Sequence, residues 1–425
     1  MNNTMKNKLI YAVLLLATAA FSACSSSPKQ ENKEVNTPSE KSFYELDLSK
    51  DFSGSDNQTL LLSDIVEDVE YVKLETTDDC LLAGTARVFI TNDDIYTLNK
   101  YSDYKLLRFD RKTGKFISQI GSIGQGPKEM INPCFVFAKD SLVYVTSTSM
   151  DKVYVYTNEN QFVRAVPFCK DRSSFEDGVG ETISVIDHQY IVRHPGQLQS
   201  QLNYNQYMAA EVIDMNSNRL FAMRDTSDVY GITLKLDWDP IRWYYKGNIN
   251  FYNEPDRTVY AVTKDSIIPR YHFNLGDNKW PVINGKLTKE FFKYIKFKSF
   301  RETEDYLYLY WNQSQKGYFA RFNKKTETLD VQEQAKFWGR FWHLGVPGLK
   351  NDINGCNRSV DFIGLMDEQS SIVQMFSASG KEDYIKVLKE SQEVKFPEKR
   401  QQLLKLLEEM GEEDNQILAI YKLKK

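Results

Sequence analysis

Short apolar runs of about five residues follow one another along the chain from Leu60 onward. Clear examples are residues 94–98 (DIYTL), 105–109 (KLLRF), 142–146 (LVYVT) and 153–157 (VYVYT). Asn, Asp, Gly or Ser residues bound these runs, as expected for β-strands joined by turns. Helical patterns do not alternate with the strands, so a parallel α/β sheet is disfavoured. The pattern predicts an all-β sandwich, barrel or propeller.

The period of the strands favours the propeller. One aromatic-bearing strand can be aligned in each of six successive units, at intervals of 48, 46, 61, 57 and 54 residues. The aligned aromatic residues are Tyr96, Tyr144, Tyr190, Phe251, Tyr308 and Phe362. A propeller blade takes about 40–50 residues, so the longer intervals indicate loop insertions. We therefore predict a six-bladed β-propeller with short accessory helices, and a pair of β-sandwich domains is the alternative.

A repeated hairpin pattern supports the blades, and two segments predict helices. Residues 107–116 (LRFDRKTGKF) are echoed by 154–162 (YVYTNENQF), with Asn160 at the position of Gly114. Both residue types tolerate the positive φ of tight hairpins. Residues 288–297 and 397–410 place apolar side chains at helical spacing, and the second segment begins with a proline at a helix-first position.

The first residues have the features of a bacterial export signal. Two lysines precede an uncharged stretch from Leu9 to Phe21. This stretch is too short to cross a hydrocarbon core of roughly 30 Å, which favours a signal peptide over a transmembrane helix. Residues 21–24 (FSAC) resemble the bacterial lipobox, although Phe21 stands where Leu is usual. The resemblance implies cleavage before Cys24 and attachment of lipid to its sulfur, whereas an ordinary signal peptide is the alternative.

The residues after Cys24 predict a tether and a location. Residues 25–41 are polar, with Val35 as the only aliphatic residue, and cannot form a core. We divide the chain into a signal peptide (1–23), a lipidated cysteine with a flexible tether (24–57) and a propeller (58–425). Ser25 does not resemble the Asp that retains lipoproteins at an inner membrane, and no acidic cluster follows directly. This favours a periplasm-facing outer-membrane lipoprotein over a cell-surface one.

Three segments of the body are distinctive: residues 120–129 (IGSIGQGPKE), 269–276 (PRYHFNLG) and 414–424 (DNQILAIYKLK). They resemble segments of a known family, the six-bladed β-propeller lipoproteins of the Bacteroidota, which are relatives of NHL-repeat propellers, with Gln416 where proline is usual. The resemblance covers about residues 58–425. It implies the propeller fold and leaves the activity open, because the family has no settled activity.

Charge and cysteine content narrow the classes of partner. The chain has 425 residues and a formal net charge of -4. Removal of residues 1–23 takes away two lysines and no acidic residue, which leaves -6. An acidic chain without a basic block is not expected to bind nucleic acid. Outside Cys24 the cysteines are Cys80, Cys134, Cys169 and Cys356, which we interpret as scattered buried thiols, although an oxidising compartment permits disulfides.

Signatures of catalysis are sparse in the sequence. The segment from Gly121 to Lys128 superficially suggests a phosphate loop, but Pro127 replaces the lysine, so we interpret it as a structural turn. The sequence contains only four histidines and no HExxH or GxSxG motif. The acidic groups Asp78-Asp79, Asp93-Asp94 and Glu302/Glu304/Asp305 are interpreted as solvated loops. We therefore assign no catalytic residue, no metal ligand and no cofactor.

Two clusters combine arginine with aromatic residues and are the candidate ligand sites. One contains Arg242 and Trp243, and the other contains Arg340 and Trp342. Such groups can stack on sugar rings or bind carboxylates. Packing of the aromatic residues in the core between blades is the alternative.

The sequence favours a lipid-anchored propeller of the cell envelope that binds a glycan, a peptide or an envelope protein. The alternative is an envelope enzyme on the same scaffold, such as a glycan lyase, a glycosidase or a lactonase-like hydrolase, and a purely structural subunit is a third possibility. The propeller fold hosts many activities, so fold alone does not choose among them.

Overall fold

A computed structural model describes most of the chain from residue 41 to residue 425. The described ranges are 41–53, 60–83, 87–99, 103–147, 152–167, 182–194, 208–224, 241–254, 256–279, 293–314, 316–333, 349–356, 371–392 and 394–425. Within them six sheets form the blades of a six-bladed β-propeller, so the predicted fold class is confirmed.

Blades 1 to 3 are antiparallel four-stranded sheets whose strands follow the order of the chain. Blade 1 contains β3 (Arg87–Ile90), β4 (Asp94–Leu98), β5 (Leu106–Asp110) and β6 (Phe116–Gln119). Blade 2 contains β7 (Pro133–Lys139), β8 (Leu142–Ser147), β9 (Lys152–Thr157) and β10 (Phe162–Pro167). Blade 3 contains β11 (Thr182–Ile186), β12 (Tyr190–His194), β13 (Met208–Asp214) and β14 (Arg219–Arg224).

Blades 4 and 5 repeat this arrangement. Blade 4 contains β15 (Arg242–Tyr245), β16 (Asn248–Asn253), β17 (Thr258–Val262) and β18 (Ile267–Asn274). Blade 5 contains β19 (Lys296–Glu302), β20 (Tyr306–Gln313), β21 (Lys316–Asn323) and β22 (Thr328–Glu333). A fifth strand, β1 (Tyr44–Asp47), pairs in parallel with the outer edge of β18.

Blade 6 joins the two ends of the propeller chain. Its described strands are β2 (Val66–Lys73), β23 (Ser371–Phe376) and β24 (Ile417–Leu423). The C-terminal β24 lies between β23 and the N-terminal β2 and is antiparallel to both. The last strand of the chain thus closes the ring beside an N-terminal strand. It also satisfies backbone groups that an open ring would leave at its edges.

Blades pack face to face, which explains why their strands are apolar on both sides. All five residues of β4 are buried, although its side chains point alternately to the two faces. Five of the six aligned aromatic residues lie in the second strand of their blade: Tyr96, Tyr144, Tyr190, Phe251 and Tyr308. The sixth, Phe362, lies outside the described residues.

The two ends of the ring differ in their connections. Short turns join the first strand to the second and the third to the fourth, and we call the end that carries them the hairpin end. The second-to-third loops and the connections between blades start and finish at the opposite end, the loop end. Gly114 and Asn160 occupy equivalent hairpins with φ of 69° and 65°, as the repeated pattern predicts. An added Cβ at Gly114 would lie 2.0 Å from the Lys73 carbonyl oxygen.

Three α-helices accompany the described strands: α1 (Leu62–Ile65), α2 (Lys381–Glu390) and α3 (Pro397–Glu408). The last confirms the helix predicted over residues 397–410, and its Leu403 and Leu407 are buried beside blade 6. The prediction for 288–297 is wrong at its end, because Phe297 lies in β19 and packs on Phe273. The start of that segment lies outside the described residues.

The predicted boundary of the tether at residue 57 also differs from the structure. The folded unit begins at Phe43. Tyr44 is 3% exposed, and its ring stacks on that of Tyr271 at 5.3 Å. The alternation of buried and exposed residues in β1 covers only four positions. A pattern this short does not identify a strand in the sequence when the partner strand is unknown.

Candidate functional site

The innermost strands of the blades surround the central axis, and β15 carries two of the predicted ligand-binding residues. Its four residues alternate between partly exposed Arg242 and Tyr244 and buried Trp243 and Tyr245. Alternation on a strand sends these pairs to opposite faces. One face is directed to blade 3 and the other to blade 5, as their contacts show.

Arg242 and Tyr244 bond to the free edge of β11, the innermost strand of blade 3. The Arg242 guanidinium donates from Nη1 to the Ile183 carbonyl oxygen and, at 3.0 Å, to the Ser184 hydroxyl. The Tyr244 hydroxyl accepts from the Val185 N–H at 3.3 Å and is 3.2 Å from the Val185 carbonyl oxygen. Side chains of blade 4 therefore satisfy backbone groups on the edge of β11 that has no neighbouring strand.

Tyr244 also narrows the centre of the ring. Its ring lies 5.5 Å from that of Phe137 in β7, the innermost strand of blade 2. Inner-strand residues of three successive blades thus meet at this level. Arg242 lies two residues nearer the loop end than Tyr244, which corresponds to about 7 Å along a strand. Arg242 is therefore placed on the loop-end side of this constriction.

Trp243 is packed in the core between blades, which was the alternative to ligand binding for the aromatic clusters. It is 4% exposed, and its ring lies 5.4 Å from that of Phe300. Its Nε1 donates to Glu302 Oε2 at 3.0 Å. No face of this ring is open to a ligand, because blade 5 covers it.

Glu302 is the centre of a buried ion cluster at the junction of blades 4 and 5. Besides Trp243, the carboxylate accepts two hydrogen bonds from Arg270 at 2.8 Å, one from the Tyr271 hydroxyl at 2.6 Å and one from Lys324 Nζ at 3.1 Å. Its side chain is fully buried, and that of Lys324 is 2% exposed. Burial raises the pKa of Tyr271 well above its usual value, and the neighbouring Glu302 carboxylate acts in the same direction. The cluster holds β15 against β19.

The interpretation of two acidic groups as solvated loops is therefore corrected. Glu302 ends strand β19 in the core, and Asp94 begins β4 at 5% exposure, where it accepts from Arg108 Nε at 2.8 Å. Both positions follow or precede a turn in the sequence. Glu302 is enclosed by partners in the neighbouring blade 4, whereas Asp94 pairs with Arg108 within its own blade. Glu304, Asp78 and Asp79 are exposed, as expected of loops.

Charge is distributed unevenly between the inner and outer strands. The five described innermost strands carry six basic residues and one acidic residue, Glu302; the basic ones are Arg87, Lys139, Arg242, Lys296, Lys298 and Arg301. The outer strands β2, β6, β10, β14, β18 and β22 carry five basic and five acidic residues. The inner strands therefore have a positive excess in a chain whose formal charge is -4.

A second polar group, at the hairpin end, joins blades 2 and 3. The Tyr144 hydroxyl lies 3.0 Å from His188 Nδ1, and His188 Nε2 lies 2.7 Å from Asp140 Oδ2. Tyr144 is 1% exposed, and burial raises its pKa to about 12. The hydroxyl is therefore protonated at neutral pH, and it holds the imidazole in place.

Other sequence interpretations can be placed on the structure. Within the described residues, no group of three His, Cys, Asp or Glu side chains is arranged to hold a metal ion. Cys80, Cys134 and Cys356 are buried, whereas Cys169 lies outside the described ranges. In the segment that begins at Gly121, backbone N–H groups bond to side chains of the protein itself: Gly121 to Asn160 and Gly126 to Glu129.

Three predicted functional residues, Cys24, Arg340 and Trp342, lie outside the described residues. Tyr244, Glu302 and Lys324 were missed. The position of Tyr244 next to Trp243 in the aromatic cluster was a signal that could have identified it. No sequence pattern indicates that Glu302 contacts Lys324. In the part of the chain that the structure describes, no helix is long and apolar enough to span a bilayer.

Comparisons place the chain among known proteins. A family model described as "Domain of unknown function (DUF4934)" matches residues 43–422. The crystal structure of a putative exported protein from Bacteroides fragilis is similar over 90% of this chain and 100% of its own, with a TM-score of 0.62 and 19% identity. A DUF4221 member from Bacteroides vulgatus covers 84% of this chain and 97% of its own, with a TM-score of 0.46 and 10% identity. No curated protein matches the sequence.

Proposed function

The chain belongs to the DUF4934 family, and we propose that it is a binding or interaction propeller of the cell envelope whose ligand enters at the loop end of the central axis. The observation that carries the proposal is the placement of Arg242. It lies on an innermost strand, partly exposed, on the loop-end side of the Phe137–Tyr244 contact. A rigid ring that presents polar side chains around a narrowed centre is suited to binding.

The proposed location is a lipid anchor at Cys24 in the outer membrane, facing the periplasm. The export signal and the lipobox-like residues 21–24 support it. The folded unit begins at Phe43, so the intervening residues can span at most about 65 Å. The propeller is then able to reach ligands well away from the bilayer surface.

Lipid attachment is tested by metabolic labelling with a fatty acid. We expect the wild-type protein to be labelled and Cys24→Ala to be unlabelled. Equal labelling of Cys24→Ala would refute the anchor at this residue.

The proposed ligand is an extended polar molecule, a glycan or a peptide. Arg242 supports this class, because a guanidinium binds carboxylates through two parallel hydrogen bonds. Trp243 does not support this class of ligand, because blade 5 buries its ring. The enzyme alternative is not proposed. Among the described residues, the Tyr144–His188–Asp140 group has a tyrosine that is buried and neutral at neutral pH.

Binding is tested with the full-length protein on glycan and peptide arrays. We expect a ligand that is bound by the wild-type protein and lost in Arg242→Ala. Arg164→Ala is the matched control, because Arg164 is exposed on β10, the outermost strand of blade 2. Thermal melting of both variants separates loss of binding from loss of folding.

Two results would contradict the proposal. One is the absence of any ligand on both arrays for a folded protein. The other is an equal loss of binding in Arg164→Ala and Arg242→Ala, which would place the ligand away from the central axis.

A further inference from the structure

We propose that the N-terminal strand β1 regulates the ligand site, because its docking on blade 4 fixes the position of β15, the strand that carries Arg242. This inference rests on the proposed function and adds the regulation of the same site. β1 (Tyr44–Asp47) is the first strand that the structure describes, and the residues before it lead to Cys24, the proposed anchor. A pull on the anchor therefore acts on β1 before it reaches any other described strand.

The seat of β1 on blade 4 consists of pockets for alternate side chains. Tyr44, Leu46 and Leu48 are 3%, 2% and 0% exposed. Glu45 and Asp47, which alternate with them, are exposed. Among the described strands β1 pairs only with β18, so its release breaks no pairing between the other four strands of blade 4. β1 is thus an element with two discrete states, docked and released.

A chain of side-chain contacts connects the seat of β1 with β15. The Tyr44 ring stacks on that of Tyr271 at 5.3 Å, and the Tyr271 hydroxyl donates to Glu302 Oε1 at 2.6 Å. The other oxygen of this carboxylate accepts from Trp243 Nε1 on β15 at 3.0 Å. All four residues are exposed by 4% or less, so water has little access to a contact that is lost. Packed and hydrogen-bonded side chains of this kind carry coupling between distant sites.

The neighbours of Trp243 on β15 are the residues that contact β11 beside the axis. The Tyr244 hydroxyl accepts from the Val185 N–H at 3.3 Å. Arg242 donates to the Ile183 carbonyl oxygen. Because adjacent residues of a strand move together, a shift of Trp243 displaces both contacts. Release of β1 is therefore expected to loosen the side chains at the constriction and to lower the affinity for the ligand, because the bound arrangement is then less populated.

The test is hydrogen exchange in the full-length protein without ligand, with two backbone amides as reporters. The Leu48 amide, which donates to the Asn274 carbonyl at 2.8 Å, reports the docking of β1. The Val185 amide, which donates to the Tyr244 hydroxyl, reports the position of β15. Local opening of the structure around an amide increases its rate of exchange.

Leu46→Asp is the variant that releases β1, because it places a carboxylate in a buried apolar pocket. We expect the Leu48 and Val185 amides both to exchange faster than in the wild-type protein. The increase should be about tenfold or more, the factor that corresponds to the loss of one hydrogen bond to a charged group. Glu45→Ala, at an exposed position of the same strand, is the matched control and should leave both amides unchanged.

Tyr271→Phe separates the docking of β1 from its effect on β15. The substitution keeps the ring on which Tyr44 stacks and removes the hydroxyl that donates to Glu302. The Val185 amide should therefore exchange faster, while the Leu48 amide exchanges as in the wild-type protein. This variant also decides the question if Leu46→Asp fails to fold, because an unchanged Val185 amide in Tyr271→Phe would overturn the proposal.

Two further results would overturn the proposal. One is a faster Leu48 amide with an unchanged Val185 amide in Leu46→Asp, which would show that β1 leaves without affecting β15. The other is an equal acceleration of the Val185 amide in Glu45→Ala and Leu46→Asp. The measurement uses no ligand, so a protein that binds nothing on the arrays would refute the proposed function and leave the coupling between β1 and β15 to be decided by these amides.

Discussion

The junction of blades 4 and 5 and the junction of blades 2 and 3 both join neighbouring blades through a carboxylate and its partners. At the first, Glu302 is fully buried with Lys324, and it accepts five hydrogen bonds. At the second, the Asp140 side chain is 70% exposed and that of His188 is 31% exposed. The contacts of Glu302 are therefore made in the core, whereas those of Asp140 are made where water reaches the side chains.

The difference shows how burial determines the energetic role of a polar contact. Water can replace a lost partner of Asp140, whereas the side chain of Lys324 is only 2% exposed and water has little access to it if Glu302 is removed. Removing one partner of a buried ion pair typically costs about 3–5 kcal/mol, and an exposed pair contributes about 0–1 kcal/mol. Three experiments test this comparison, from the largest expected effect to the smallest.

The largest effect is expected for Glu302→Gln. The amide keeps the size of the side chain and removes its charge, which leaves Arg270 and Lys324 buried without their anion. We expect the free energy of unfolding to fall by about 3–5 kcal/mol. Asp140→Asn makes the same chemical change at the exposed junction and should cost less than about 1 kcal/mol. Equilibrium denaturation measures both, and equal losses would show that burial does not distinguish the junctions.

An intermediate effect is expected for Trp243→Phe. The substitution removes ring volume and the N–H that donates to Glu302. Trp311→Phe is the matched control, because Trp311 is equally buried but its Nε1 has no hydrogen-bond partner among the described residues. Trp243→Phe should therefore cost about 2 kcal/mol more than Trp311→Phe. Similar losses in denaturation experiments would mean that the hydrogen bond to Glu302 adds nothing.

The smallest effect concerns alkaline pH. Burial raises the pKa of Tyr144 to about 12, above its usual value of 10. Between these values the unfolded chain releases the proton and the folded protein keeps it, so the stability present below pH 10 is lost as pH rises toward 12. Tyr144→Phe should therefore lose less stability than the wild-type protein between pH 10 and 12.

Tyr271→Phe extends this test to the buried junction. It should also reduce the alkaline loss, but it should lower stability at neutral pH, because the Tyr271 hydroxyl donates to Glu302. Unfolding free energies measured at neutral pH and above pH 10 check both variants. A Tyr144→Phe variant with the alkaline loss of the wild-type protein would contradict the role assigned to its burial.

Local patterns were sufficient to predict the blades but not the site. Strand-turn repeats placed Tyr96, Tyr144 and Phe251 correctly in strands of successive units, because each blade forms its hairpins from adjacent residues. The same patterns assigned Glu302 and Asp94 to solvated loops. Their burial depends on residues 32 and 14 positions away, Arg270 and Arg108, which the sequence does not connect to them.

Ligand residues were predicted from residue type, and type alone could not fix their exposure. Arg242 and Trp243 are adjacent and belong to one cluster in the sequence, yet they point to different blades. A strand sends successive side chains to opposite faces, so Arg242 is directed to blade 3 and Trp243 to blade 5. The identity of the neighbouring blade then decided that Trp243 is core.

The amino-acid sequence by itself determined the repeat and the strand-rich fold, because hydrophobic periodicity and turn residues act over a few positions. Only the tertiary structure decided that β1 adds to blade 4 and that Glu302 gathers five donors. These features bring together residues from distant parts of the chain. Their positions depend on closure of the ring, and no local pattern records it.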